Sequence, residues 1–293
     1  MTAVTTTFAA ARARYRGSVS LVPTMGFFHE GHLALLRAAR SAADTVVVSH
    51  FVNPLQFNDP ADLDRYPRDF DRDLALAREE GVDVVFAPGV EEVYPEGSVT
   101  RVGVPGLADS MEGLRRPGHF EGVATVVAKL FAGLQPERAH FGRKDAQQLA
   151  LIRRMATDLR FPIEIVSHPT VRESDGLALS SRNVFLSPED RVTALGISTG
   201  LFAAADLAER GERDAGVLAS AVRSASPGID FEYVTLATQD GAAALDRLDR
   251  PAFLAVAAVV GAVRLIDNVM LDASGSVDRG RRLDSASVIY ERR

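Results

Sequence analysis

The chain has 293 residues, 46% of them hydrophobic and 25% charged, a composition that excludes disorder and leaves room for one large domain or two modest ones. Its 39 acidic residues outnumber 33 basic ones, for a formal charge of −6, the wrong sign for a protein that wraps a polyanion, so nucleic acid is not an expected partner. There is no cysteine, which removes disulfides, thiolate metal sites and thiol nucleophiles; a metal held by histidine and carboxylate alone stays open, and none is assigned.

The longest apolar run, residues 251–263, falls short of the roughly 20 residues needed to cross a bilayer. No membrane span is therefore expected, and the protein is read as cytoplasmic. The opening MTAVTTTFAAARARYRG is Thr- and Arg-rich in the manner of a transit peptide. It lacks the apolar core of a secretory signal, and the first strand is expected to follow at Ser18. Only two of the 33 basic residues are lysines, Lys129 and Lys144. Where arginine serves almost everywhere, a lysine marks its position.

In chain order, residues 9–16 read as a short helix and VSLVPT (19–24) as a strand, followed by a Gly-containing loop and a helix over 31–41. TVVVSHFVN (45–53) is a continuous apolar run suited to a central parallel strand. A Pro-, Asn- and Asp-rich loop leads to a helix over 70–80 closed by Gly81, then to the strand 82–87. After a long irregular stretch come a helix over 122–134, a strand over 138–142, a helix over 145–159 and a strand over 163–167. This alternation predicts a parallel sheet flanked by helices, with ligands at the carboxyl ends of its strands. Beyond residue 170 the pattern changes to two Ala-rich helices, 188–210 and 214–224, and strand-like runs at 231–238, 253–261 and 263–271. The expected architecture is α/β: a Rossmann-like parallel-sheet domain over 1–170 and a smaller α+β domain with a partly antiparallel sheet over 171–293. The last 20 residues are expected to be partly disordered or an interface tail.

The strongest local signal is PTMGFFHEGHLALL (23–36), where a strand hands over to a helix. His29 and His32 are three apart at the helix start, so they share a face at the positive end of its dipole. Gly31 between them would let an anion reach the backbone amides. Two imidazoles with open amides can stabilise charge on a pentacoordinate phosphorus; helix capping, core packing and metal ligation are the other uses of such a pair. The second cluster is FGRKDAQQL (141–149). Gly142 permits close backbone approach, Lys144 supplies a point charge, Asp145 can accept from ribose hydroxyls, and Gln148 lies one turn from Lys144. In LALSSRN (177–183), Ser180, Ser181 and Arg182 offer hydroxyl and guanidinium donors on an expected mobile loop. FVNPLQF, with Asn53 and Gln56, and RRPGHFEGVATVVAKL, with Arg116, His119 and Lys129, complete the candidates; taken alone, His119 fits a structural role.

Read together and in this order, these segments resemble the pantoate–β-alanine ligase family of His-x-Gly-His nucleotidyltransferases, over essentially the whole chain. RYPRDFDRDL and RLIDNVML belong to the same run of matches. The resemblance implies an ATP-dependent enzyme that condenses pantoate with β-alanine to pantothenate through pantoyl adenylate, releasing AMP and pyrophosphate. ATP with Mg2+, a lid-like C-terminal domain and a homodimer are implied with it. It places His32, His29, Lys144 and Arg182 in catalysis. ATP contacts fall on Met25, Gly26, His29, Gly31, His32, Gly142, Arg143, Lys144, Asp145, Val171, Leu179, Ser180, Ser181 and Arg182. The pantoate side falls on Gln56 and Gln148, with Asn53, His119 and Lys129 beside them. Leu179, Arg143, Ala146 and the Phe27-Phe28 pair depart from the residues common there, methionine, glutamate, an aromatic and Ala-Leu, without removing a charged group. An enzyme that transfers AMP without ligating an amine, and a catalytically dead nucleotide-binding regulator, are the competing functions.

Overall fold

The computed structural model describes residues 1–290, and the chain divides into two compact units. The first comprises Met1–Phe141 and Leu151–His168, the second Gly142–Ala150 and Pro169–Arg293.

The first unit is built on β1 (Ala3–Thr5), β2 (Val19–Thr24), β3 (Thr45–His50), β4 (Val84–Phe86), β5 (Arg138–Gly142) and β6 (Glu164–His168), ordered β1-β4-β3-β2-β5-β6. The β1–β4, β4–β3, β3–β2 and β2–β5 pairings are all parallel. The chain builds outward from β2 in one direction and then returns to its other side with β5. The strand order therefore reverses between β2 and β5, the position where an open α/β sheet binds its ligand beyond the strand ends.

Its helices are α1 (Phe8–Arg12), α2 (Glu30–Ala42), α3 (Pro60–Arg65), α4 (Phe70–Glu79), α5 (Val90–Val93), α6 (Met111–Arg115), α7 (His119–Leu134) and α8 (Ala146–Asp158), the first turn of α8 grouping with the second unit. Leu33, Leu36 and Ala39 of α2 and Ala77 of α4 pack on Val22, Val46, Val48 and Val85 of the sheet. The i, i+3, i+6 spacing on α2 puts these apolar residues on one face. α7 is buried along most of its length, as its run of small and branched residues requires.

Several boundaries differ from the sequence expectation. The first strand is Ala3–Thr5 rather than one starting at Ser18; three residues at a sheet edge carry too little alternation to read. The apolar run 45–53 stops being a strand at His50, because Asn53 caps the 3-10 turn Pro54–Gln56 by accepting from Leu55 N–H.

In the second unit β7 (Val171–Arg172) precedes the long helix α9 (Pro188–Glu209) and α10 (Ala215–Ser224), which cover a sheet of β8 (Phe231–Thr238), β9 (Ala252–Val260), β10 (Val263–Leu271) and β11 (Val277–Asp278). The pairings within this sheet are antiparallel. α9 is long and apolar enough to cross a membrane by length and composition, contrary to the reading from apolar runs. Ile197, Leu201, Ala204 and Ala208 instead bury its apolar side in the core. The tail expected to be partly disordered is folded through Tyr290, forming β11, β12 (Arg281–Arg282) and a final 3-10 turn, Val288–Tyr290; residues 291–293 lie outside the described residues.

A polar line crosses the first unit's core. His140 on β5, almost fully buried, has Nδ1 2.9 Å from Nε2 of His168 and Nε2 3.1 Å from Oγ of Ser20. Burial, with the neighbouring His168 and Arg138, lowers its pKa from 6.5 to about 4. The unfolded chain takes up a proton in that window and the fold refuses it, so this contribution is complete above pH 6.5 and is lost as pH falls toward 4. Urea denaturation should show stability falling in that interval with a slope approaching roughly 1.4 kcal/mol per pH unit. His140→Gln should remove the slope; an unchanged slope would assign the titration elsewhere.

Candidate active site

β2 ends at Thr24 and the chain turns sharply. Gly26 and Phe27 both lie in the left-handed region, at φ +85° and +54°, and a Cβ on Gly26 would sit 2.5 Å from His50 Nε2. The turn is fixed by a buried carboxylate. Asp73 of α4, 1% exposed, accepts from Phe27 N–H (2.5 Å) and Phe28 N–H (2.7 Å), lies 2.9 Å from His50 Nε2, and accepts from Arg72 Nη1 at 3.3 Å. Arg72 also donates to the Phe28 carbonyl at 2.9 Å and stacks over the Phe27 ring. Phe28 fills the core beneath, its ring 5.5 Å from that of His32. Desolvating a carboxylate is costly, and this cluster of donors offsets the cost only while the turn keeps its shape.

The turn delivers His29 as the cap of α2. Gly31 N–H donates to His29 Nδ1 (3.1 Å), and His29 N–H donates to His32 Nδ1 (3.3 Å), a reciprocal capping box made of two imidazoles 4.1 Å apart. The sequence reading of open amides needs correcting here. Gly31 N–H is taken by His29, and a Cβ on Gly31 would lie 2.8 Å from the His29 ring, so glycine is required by the imidazole. A ring that accepts at Nδ1 carries its proton, when neutral, on Nε2. Capping therefore selects the tautomer of both histidines.

Gln56, 8% exposed, is oriented by Asn53 Nδ2 donating to its Oε1 at 3.1 Å, and its own Nε2 contacts Met25 Sδ at 3.0 Å. One amide hydrogen and one lone pair remain. Asn53 has no such remainder: Nδ2 also donates to the Gly122 carbonyl (3.1 Å), and Oδ1 accepts from Tyr94 O–H (2.8 Å) and Leu55 N–H (3.3 Å). Burial pushes the Tyr94 phenol up to about 12, against the opposing pull of Arg101, so it remains a donor. His119 is buried with both nitrogens engaged, Nδ1 donating to the Gln56 carbonyl (2.8 Å) and Nε2 accepting from Arg116 (3.1 Å). Gly122 packs directly on this turn, since a Cβ there would meet the Leu55 carbonyl oxygen at 2.4 Å. Lys129 Nζ lies 5.5 Å from the centre of the Tyr94 ring.

The other candidates belong to the second unit. Gly142 has an ordinary φ of −80° and nothing within 4 Å of a built Cβ, so packing within the fold does not itself demand glycine there. Arg143–Asp145 forms a 3-10 turn leading into α8. Asn268 Nδ2 holds that turn by donating to the carbonyls of Arg143 (3.0 Å) and Lys144 (2.7 Å), while no hydrogen bond or ion pair holds Lys144 Nζ among the described residues. Gln148 is half-buried on α8. Ser180 caps the turn Ser181–Phe185, its Oγ accepting from Arg182 N–H at 3.3 Å. Leu179 is buried and donates its N–H to the Val171 carbonyl at 2.9 Å. Sequence reasoning missed Asp73, His50, Tyr94 and Asn268; the D-x-D spacing around Asp73 reads as a solvated helix start.

A parallel sheet that presents two tautomer-fixed imidazoles beyond its central strand, and an oriented glutamine nearby, defines an α/β enzyme acting on a small polar substrate. The chain belongs to the pantoate-beta-alanine ligase family, whose profile matches residues 1–270. It is 52% identical over 268 residues to the pantothenate synthetase of Moorella thermoacetica, covering 90% of this chain and 95% of that one. It is 53% identical over 260 residues to pantothenate synthetase 1 of Bradyrhizobium diazoefficiens, with 88% and 92% covered. Among solved structures, pantothenate synthetase from Thermus thermophilus superposes with a TM-score of 0.87 at 49% identity, covering 92% of this chain and 98% of that one. The Francisella tularensis pantoate-beta-alanine ligase, complexed with beta-gamma ATP and beta-alanine, gives 0.74 at 33% identity, with 92% and 98% covered.

Asp73→Asn keeps the shape but sets an amide –NH2 against a backbone N–H or His50. It should cost roughly 1–3 kcal/mol of stability and lower ligase activity further than the lost stability explains, because the histidine turn is released. Denaturation midpoints and kcat on the same variant check this; wild-type kcat on a destabilised protein would show that Asp73 supports the fold alone.

Proposed function

We propose that the protein uses ATP to condense pantoate with β-alanine in two steps. A pantoate carboxylate oxygen attacks the α-phosphorus of MgATP and pyrophosphate leaves. The β-alanine amine then attacks the carbonyl carbon of pantoyl adenylate, AMP leaves, and the amide nitrogen loses its proton. The observation that carries this reading is the imidazole capping box, which fixes two Nε2–H donors at the start of α2.

In this reading His29 and His32 donate Nε2–H to phosphate oxygens as charge builds at the α-phosphorus, and Lys144 and Arg182 supply full positive charges. His32 also protonates the leaving group. Met25, Gly26 and Gly31 shape the phosphate-facing turn; Gly142, Arg143, Asp145, Val171, Leu179, Ser180 and Ser181 belong to the nucleotide side, with Leu179 acting from the core and Gly142 leaving room for close backbone approach. Gln56, with one donor and one acceptor unused, and Gln148 hold the pantoate hydroxyls and carboxylate. Asn53 and His119, whose hydrogen bonds are taken up by protein groups, orient Gln56, and Lys129 attracts the substrate carboxylate. Mg2+ enters with the triphosphate. Phosphate oxygens and water would carry most of that ion's coordination. A cytoplasmic homodimer is the expected working form.

Pantoate-dependent exchange of pyrophosphate into ATP isolates the first step, and added β-alanine tests the second. His32→Ala should lower exchange by roughly 10²–10³ while aminolysis of supplied pantoyl adenylate falls less. In the same assay Gln56→Ala should raise the pantoate requirement roughly tenfold with the ATP requirement unchanged. Exchange within a few-fold of wild type in the histidine variant, or a glutamine variant that weakens ATP instead, would overturn these assignments.

A further inference from the structure

The family match ends at residue 270, yet the chain continues as an ordered part of the second unit through Tyr290. β11 pairs with the end of β10, Leu271 opposite Val277. β12 then runs parallel to β7, with Arg281 N–H donating to the Thr170 carbonyl (2.7 Å) and Leu283 N–H to that of Arg172 (2.9 Å). The approach is close enough that a Cβ on Gly280, itself at φ +83°, would lie 2.3 Å from the Thr170 oxygen. On the opposite edge of β7, Leu179 N–H donates to the Val171 carbonyl at 2.9 Å. The short strand carrying Val171 is thus held on one side by the segment leading into residues 180–182 and on the other by the tail.

Side chains tie the tail to the same two places. Asp278 Oδ2 accepts from Arg143 Nη1 at 2.7 Å, in the turn that carries Lys144. Tyr290 O–H donates to Glu173 Oε1 at 2.9 Å and accepts from Arg191 Nη1 at 2.9 Å. The same Glu173 oxygen accepts from Asn183 Nδ2 at 2.7 Å, and Asn183 N–H donates to the Ser180 carbonyl at 3.0 Å. Three hydrogen bonds therefore lead from the tail to the turn around Arg182. Ser287 and Ile289 are buried and anchor the last turn.

We propose that residues 272–290 form a positioning strap for the nucleotide side of the site, with Asp278 and Tyr290 as positioning residues for ATP. This rests on the assignment of residues 142–145, Val171 and 179–182 to ATP. Removing a hydroxyl or a carboxylate from the strap leaves every group assigned to substrate in place but loosens the turns that present Arg182 and Lys144. The ordering cost then falls on nucleotide binding. The surface pairs of the Arg279 side chain with Asp206 (2.5 Å) and Glu209 (2.7 Å) supply a control, because they fasten the strap without reaching either turn.

The experiment compares full-length Tyr290→Phe, Asp278→Asn, Arg279→Ala and Arg182→Ala, measuring KM for each substrate, kcat and Tm. Tyr290→Phe and Asp278→Asn should each raise the ATP KM about three- to tenfold, with the pantoate and β-alanine KM values unchanged and kcat within twofold. Arg279→Ala should lower Tm slightly and leave all three KM values alone. If Arg182→Ala raises the ATP KM while the Tyr290 and Asp278 variants change only Tm, or shift all three KM values together, the strap proposal is overturned and the site assignment stands. If Arg182→Ala leaves the ATP KM unchanged, the site assignment fails and the strap proposal falls with it.

Discussion

One buried carboxylate sets the geometry of the turn that carries His29 and His32. Asp73 binds the amides of Phe27 and Phe28 and the ring of His50, and these contacts hold two consecutive residues in left-handed backbone, one of them a phenylalanine that would not stay there unaided. From that turn the chain enters α2 with His29 as the cap. Once His29 caps, its ring accepts from Gly31, its own amide is taken by His32, and both imidazoles point their proton-bearing nitrogen away from the helix backbone. The Gly31 and His29 amides, which might have cradled an anion, are already occupied.

The same reliance on internal partners organises the rest. Asn53 and His119 commit their hydrogen bonds to Gln56 and its neighbours, which fixes the direction of one amide in a buried setting. In the second unit the fully buried Arg172 forms a two-pronged pair with Asp267 at 2.6 and 3.0 Å and donates to the Asn268 carbonyl at 3.0 Å. Breaking one partner of such a pair would strand a charge. Asn268 in turn grips the backbone of Arg143 and Lys144, so this one residue joins a core ion pair to the backbone of the half-buried lysine.

The sheet, the long helices and the histidine pair were legible because their signals are local: apolar runs of five or six residues, 3.6-residue periodicity, and a glycine between two histidines after a strand. β2, β5, β8 and β10 fall on the boundaries read from sequence. Asp73 was not legible, since an aspartate in the first turn of an amphipathic helix reads as a dipole partner in water, and only the tertiary fold brings it under a loop 45 residues earlier. Asn268 and Asp267 were hidden inside an apolar strand, where the alternation points to packing. The tail defeated the reading because Gly, Ser, Asp and Arg in short runs resemble a linker, and its strands are two residues long.

Capping dictates which nitrogen of His29 and of His32 carries the proton when the rings are neutral. Nitrogen-15 chemical shifts of the histidine side chains, assigned by substitution of His29 and His32 one at a time and recorded where both rings are neutral, measure this directly. Both residues should be Nε2–H tautomers in wild type, and Asp73→Asn should populate the other tautomer at His29 as the turn loosens. Nδ1–H tautomers in the wild-type protein would contradict it, because an imidazole that donates from Nδ1 cannot accept the Gly31 or His29 amide.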